Sequence, residues 1–416
     1  MSILATAIGL SLRAGDALPG LPSDPMTTIA NFHQRSTECL LLSHYWKPKQ
    51  YTIEALLMNL QIEFIRSKHA DLSVWTLTGT ITRLAMSMGY HRDPAQYPQI
   101  SCFHGEMRRR VWAGIVQLDI FFSFQLGLPR MIATDQCDTL PPRNLLDSDF
   151  DIHVTELPPA RPDTEYTPPS YTIAKGRLLA VFADIANLSC SVQAAAYHHY
   201  LALDKQLNEA YAAVPDHLRV PYHDAGVTLT VAAPVIVRQH LLELLYQKSR
   251  CILHREYMVK ARNDSTFMYS RSTCVDAAMA LLAQQVTVRT QVQDGGVLHR
   301  DRWLIMTSLH HTDFILAAMI VCLELSFRID GGPRQPRLVD ELGRPRYEND
   351  TLVQALRGSY QIWLEWKGHA KVSPQAARIL SVMLSRAAVG PSVAPTSDFP
   401  RPGIARQNGS HHGRSP

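Results

Sequence analysis

Apolar residues recur at three- and four-residue intervals along most of this chain, and no stretch of useful length alternates apolar with polar. That period belongs to helices packed by one face, so the expected fold class is all-α. The opening MSILATAIGLSLRAGD predicts a helix, broken by the prolines of 19–25. A second periodic segment runs from Thr27 to Tyr45 and stops at Lys47-Pro48-Lys49. A third, Tyr51 to Lys68, places Ile53, Leu56, Leu57, Leu60 and Phe64 on one side. The short proline turn between them predicts a helical hairpin. Ser73 is the expected cap of the next helix, whose stripe is Val74, Leu77, Ile81, Leu84 and Met88, with Gly89 just past its end. Another helix starts between Ser101 and Gly105, carries Trp112, Ile115, Phe122 and Leu126, and closes at Gly127 and Pro129.

The pattern lapses between Pro129 and Tyr171, where prolines stand at 129, 141, 142, 158, 159, 162, 168 and 169. So long a segment without periodicity is unusual inside a folded unit, and it is expected to drape over the surface between two helical halves. Beyond it, helices are predicted at 173–213, 234–262, 272–293, 302–328, 352–367 and 374–388, the last capped by Ser373 with Pro374 in its first turn. Residues 391–416 are rich in Pro, Gly, Ser and Arg and predict a disordered tail behind a single helical domain of packed hairpins, 1–390.

Composition narrows the class. Hydrophobic residues make up 46% and charged residues 19%, enough to bury a large core. The net charge of +4, from 41 Lys and Arg against 37 Asp and Glu, marks no nucleic-acid surface by itself. Cys39, Cys102, Cys137, Cys190, Cys251, Cys274 and Cys322 are too scattered for a local zinc or disulfide framework, which suits a reducing compartment. The longest apolar run, Phe314 to Leu323, is core-helix length and too short for a membrane span of ~20 residues.

Against that background Arg83 and Asp119 are anomalies, because each falls on or beside an apolar stripe. A buried carboxylate needs a partner, so Asp119 is expected to pair with Arg83 or with one of Arg108, Arg109 and Arg110, locking two helices together. The three arginines near a helix N-terminus oppose its dipole and need carboxylates such as Glu106 or those of the loop after Pro129. A DNA phosphate is the sharper alternative. His-Arg-Asp occurs at 91–93 and 299–301, but Pro98 and Met306 stand where a kinase catalytic loop needs Asn. His310, His311 and Asp313, or Asp147, Asp149 and Asp151, lack the further ligands of a zinc or calcium site. No paired carboxylates for a diphosphate metal, nucleophile elbow or HExxH occurs, so no catalysis is expected.

Taken in order, Trp75, Arg83, Ala85, Gly89, Tyr90, His91, Arg92, Asp93 and Pro94, then Glu106, Arg108 to Arg110, Trp112, Asp119, Gly127, Pro129, Asp135, Asp138, Pro141 and Asn144 resemble the signature of the fungal-specific transcription factor domain, the middle homology region of zinc-cluster regulators. Departures are Ala113 for a second Trp and Leu128 for the usual Arg. Leu253-His254-Arg255 and the helix from His310 to Leu325 are similar to later family segments.

The resemblance implies an all-α regulator in the nucleus, controlling a metabolic or secondary-metabolite pathway. It would answer to other transcription regulators, a small-molecule effector or a second copy of itself. The family's six-cysteine zinc cluster has no counterpart in these residues, so no cofactor is expected in them and DNA binding would need a cluster elsewhere. The chain is then a truncated regulator or a co-regulator that does not touch DNA. The alternative is an all-α enzyme or scaffold of a metabolic gene cluster.

Overall fold

The computed structural model describes residues 1–21, 24–67, 71–193, 195–221, 231–305, 308–331, 338, 346–366 and 373–389. Among them the chain forms thirteen α-helices and no strand. The first half contains α1 (Ser2–Ala14), α2 (Pro25–Leu42), α3 (Thr52–Ser67), α4 (Leu72–Ser87) and α5 (Cys102–Leu126). The second contains α6 (Pro168–Cys190), α7 (Tyr197–Ala212), α8 (Ala233–Lys260), α9 (Met268–Val292), α10 (Arg302–Ile305), α11 (Ser308–Gly331), α12 (Asn349–Glu365) and α13 (Ser373–Val389).

Helices α2, α4, α5 and α6 begin where a side chain satisfies the first free N–H groups. Ser101 accepts from the His104 N–H to open α5, and Gly127, at φ 66, closes it in the left-handed conformation. At α4 the cap is Asp71 rather than Ser73: one Asp71 oxygen accepts from the N–H groups of both Ser73 and Val74. Gly89, at φ 78, follows the end of that helix as expected.

The helix predicted over 173–213 is two helices. Thr167 and Pro168 start α6 earlier than the apolar stripe suggests, and at Cys190 it stops. The Ser191 hydroxyl bonds both the N–H and the carbonyl of Gln193, giving the backbone an alternative to the helical ladder. The helix expected at 302–328 appears as α10 and α11. The predicted tail, 391–416, lies outside the described residues.

The three largest apolar cores among the described residues follow one another along the chain. The first gathers Ile53 and Leu56 of α3, Val74 and Ile81 of α4, and Trp112, Ile115 and Phe122 of α5. The second joins Ile120 of α5 to Leu178 and Phe182 of α6 and Leu245 and Ile252 of α8. The largest packs α8, α9, α11, α12 and α13 around Leu281, Phe314 and Trp363. Helix α5 therefore serves two cores, and with apolar neighbours on several sides it cannot show a single stripe. No helix among the described residues is long and apolar enough to cross a membrane.

Candidate functional site

Backbone N–H groups in an aperiodic segment join no ladder, so when buried they need acceptors from elsewhere. The signature carboxylates provide them. Asp119, 1% exposed, accepts from the N–H groups of Met131 and Ile132 at 3.0 Å. Glu106, fully buried, accepts from the Arg143 N–H at 3.1 Å. Asp93 accepts from the Leu140 N–H at 3.0 Å while Arg109 grips it with two bonds at 2.7 and 2.9 Å. Asp138 returns the contact from the loop by accepting from the Asp93 N–H at 2.8 Å. Far from being draped, the first part of the loop is pinned to α4, α5 and the turn between them.

Arginines complete the clamp. Arg110 bridges Glu106 at 3.1 Å and Asp147 at 2.6 Å and donates to the Leu145 carbonyl. Arg108 donates to the Met88 carbonyl at the end of α4 and lies over the Tyr90 ring. Carboxylates of this protein and a helix end thus occupy the triplet, as one sequence alternative required, and a phosphate is not needed to explain it. Farther along, the Asn144 amide donates to the carbonyls of Arg161, Pro162 and Glu165, and Arg161 grips Asp149.

The expected Arg83–Asp119 pair is corrected by these contacts. Arg83 is exposed on α4, whereas Asp119 spends its oxygens on the loop backbone and on the Ser123 hydroxyl, which in turn accepts from the Trp75 indole N–H. Trp112 is buried in the first core, His91 tilts beside it with ring centroids 6.3 Å apart, and Arg92 is exposed with a 3.6 Å contact to Asp138. Burial pushes the Asp119 carboxyl above its ordinary range, against the N–H groups of Ile132 and Met131. At Asp93 burial pushes the same way, but Arg109 and two backbone N–H groups overcome it and hold the carboxyl at about 2.

A second feature lies where the two halves meet. A cavity of about 430 Å³ opens between α3, α5, α6, α8 and the start of α11. Its walls are mainly leucine and aromatic side chains, with Phe64, Phe121, Tyr171 and Trp303 among them. Four charged side chains also line it: Arg13, Lys175, Lys248 and Asp313. Lys248 and Asp313 pair at 2.8 Å, both almost fully buried. Arg13 donates to the Ile65 carbonyl at 2.7 Å. Among the described residues Lys175 forms no ion pair or side-chain hydrogen bond; its ammonium faces the Phe121 ring at 5.2 Å and the Tyr171 ring at 5.7 Å, and burial pulls it down to about 8. His310 is held neutral, pulled down to about 3 by burial and then by Lys248.

Sequence reasoning missed the cavity lysines and the Arg271–Glu324 pair, which is wholly buried at 2.8 Å in the largest core. The signal was available: Lys175 sits among Ala174, Leu178 and Leu179, and Lys248 among Leu244, Leu245 and Ile252, the same anomaly that marked Asp119. No group of three or more His, Cys, Asp or Glu side chains among the described residues could hold a metal ion.

The clamp and its helices match a known family. Residues 8–209 fit the sequence model of the fungal specific transcription factor domain, and the chain contains that domain. Its similarity to whole proteins reaches further along the sequence. The Zn(2)-C6 fungal-type transcription factor pigI of Monascus ruber is 40% identical over 364 residues, 88% of this chain and 44% of pigI. For mpsB of Macrophomina phaseolina (strain MS6), of the same description, identity is 38% over 89% of this chain and 50% of the relative. The equisetin cluster transcription factor eqxF of Fusarium heterosporum is 33% identical over 86% of this chain and 50% of its own length. The chain thus spans about half the length of the curated relatives it matches. No solved structure matches it.

Proposed function

We propose that this chain is the helical regulatory part of a nuclear transcriptional regulator governing a secondary-metabolite gene cluster, and that a small-molecule effector in the cavity sets its activity. The observation that carries this reading is the similarity to pigI over 88% of the chain, well past the matched domain. The buried clamp supports a structural part for the signature charges, since none of Asp93, Glu106, Arg109, Arg110 and Asp119 is left over for chemistry. The cavity supports the effector: 430 Å³ lies within the roughly 300–1,000 Å³ typical of small-molecule sites, with apolar walls and a few polar groups. DNA reading is assigned to a zinc cluster outside these residues, on the same polypeptide or on a partner regulator.

Deletion of the gene tests this directly. Transcripts of the neighbouring biosynthetic genes, measured by quantitative PCR, should change together and return on complementation. Unchanged transcripts with an accumulating pathway intermediate would overturn the regulator and favour an enzyme or scaffold.

A further inference from the structure

The cavity's chemistry goes further than its size. A pocket for a neutral apolar ligand has no use for an ammonium group, because a charge beside hydrocarbon loses hydration without return. Lys248 meets that cost through Asp313, and Arg13 donates to a backbone carbonyl. Lys175 does neither: among the described residues no carboxylate lies within ion-pair distance and no hydrogen-bond acceptor is within reach of its Nζ. Among the described residues it faces the rings of Phe121 and Tyr171, on the wall of a mainly apolar space. Counted over the described charged lining groups, three cations stand against one carboxylate.

We propose that the cavity binds a hydrophobic monoanion, with an apolar body against the leucines and aromatic rings and one acidic group, a carboxylate or its equivalent, paired to Lys175. The inference rests on the reading of the cavity as an effector site and adds the ligand's chemical class. A bound anion would also reverse the depressed ammonium pKa, since an opposite charge favours the protonated form.

Decanoate and decan-1-ol, which share a chain and differ in charge, are suitable probes, titrated calorimetrically into the purified full chain. Decanoate should bind at least ~10-fold more tightly than the alcohol, the size of one modest ion-pair contribution to affinity. The Lys175→Gln variant should lose that preference and leave decan-1-ol unchanged. Gly114→Leu gives a second handle that spares every charge: Gly114 lines the cavity and a Cβ there meets nothing within 4 Å, so the added side chain occupies ligand space and should abolish binding of both probes.

Equal affinity for acid and alcohol in the wild type, no decanoate binding, or an undiminished preference in Lys175→Gln would each overturn the proposal. The wild-type comparison needs no variant to fold. Absent decanoate binding in a protein whose deletion still alters its cluster's transcripts would sink the ligand class and leave the regulator standing. Unchanged transcripts with intact binding would do the reverse.

Discussion

Asp119→Ala separates two accounts of the signature charges. An Arg83–Asp119 ion pair would make both residues costly to remove. In the structure Asp119 instead holds the Met131 and Ile132 N–H groups, while Arg83 stands exposed. Truncation leaves the buried Ile132 N–H without its acceptor, worth about 1–3 kcal/mol, and the half-buried Met131 N–H loses a bond to a charged acceptor, about 1.5 kcal/mol or more. Ser123 loses its acceptor as well, though it keeps the Trp75 indole. Relief from burying a carboxylate, visible in its raised pKa, offsets part of this. The net expectation is a loss of about 3 kcal/mol.

Urea unfolding at neutral pH measures it, with the midpoint falling and the m-value unchanged. Arg83→Ala should stay within about 0.5 kcal/mol of wild type, as exposed substitutions do. A neutral Asp119→Ala would show that water or other groups reach the loop backbone. A costly Arg83→Ala would restore the ion pair and refute the clamp.

Other substitutions probe the remaining buried charges. Glu324→Ala removes the buried carboxylate that Arg271 and Arg328 share in the largest core and should cost about 3–5 kcal/mol in the same assay; a cost under about 1 kcal/mol would mean the pair is hydrated. Gly114→Ala, an alanine in mid-helix with open space at its Cβ, should stabilise by roughly 0.5–1 kcal/mol, and a destabilisation would mean that the cavity wall is closed there. His310 stays neutral down to about 3 in the folded protein, against an ordinary 6.5. The unfolded chain therefore binds more protons in that window, and stability falls as pH drops from 6.5 towards 3, by up to about 1.4 kcal/mol per pH unit. His310→Gln should flatten that slope, and an unchanged slope would remove His310 from the acid response.

The helical half of the fold was legible because burial by one face leaves a period. The stripe at Ile81, Leu84 and Met88 and the left-handed glycines at 89 and 127 are local signals, and local structure obeys them. The charges were legible as anomalies but not in their pairing. Asp119 contacts residues twelve and thirteen positions on, in a segment whose path no periodicity records, so Arg83 of α4 and Arg108 to Arg110 of α5 stood as its expected partners. Aperiodic prolines made the loop look loose, whereas buried side-chain acceptors on α5 and the turn before it hold its N–H groups at Met131, Ile132, Leu140 and Arg143. The cavity was invisible for a different reason: its walls come from helices up to three hundred residues apart, and that no described carboxylate pairs with Lys175 shows only once Phe121 and Tyr171 are beside it.

Clamp and cavity share α5, and this links the two sites. Gly114, Gln117, Leu118 and Phe121 follow the i, i+3, i+4, i+7 spacing of one helix face and all line the cavity. Asp119 lies five residues after Gly114, about 140° round the helix at 3.6 residues per turn, and holds the loop on the other side. Nearer the start of α5, Glu106 and Arg110 hold the same loop directly, and Arg109 holds it through Asp93, which accepts from the Leu140 N–H. A ligand seated against Gly114 and Phe121 restrains the helix from which the loop hangs, so occupancy should slow the local opening that exposes the loop's N–H groups. Hydrogen exchange of the Met131 and Ile132 amides should slow when decanoate is added to the wild type. In Asp119→Ala, where the link is cut, the same amides should exchange fast with or without the ligand. Exchange that ignores decanoate in a wild-type protein shown to bind it would mean that the loop is held independently of the cavity, and the effector's signal would then have to leave through α6, α8 or α11 instead.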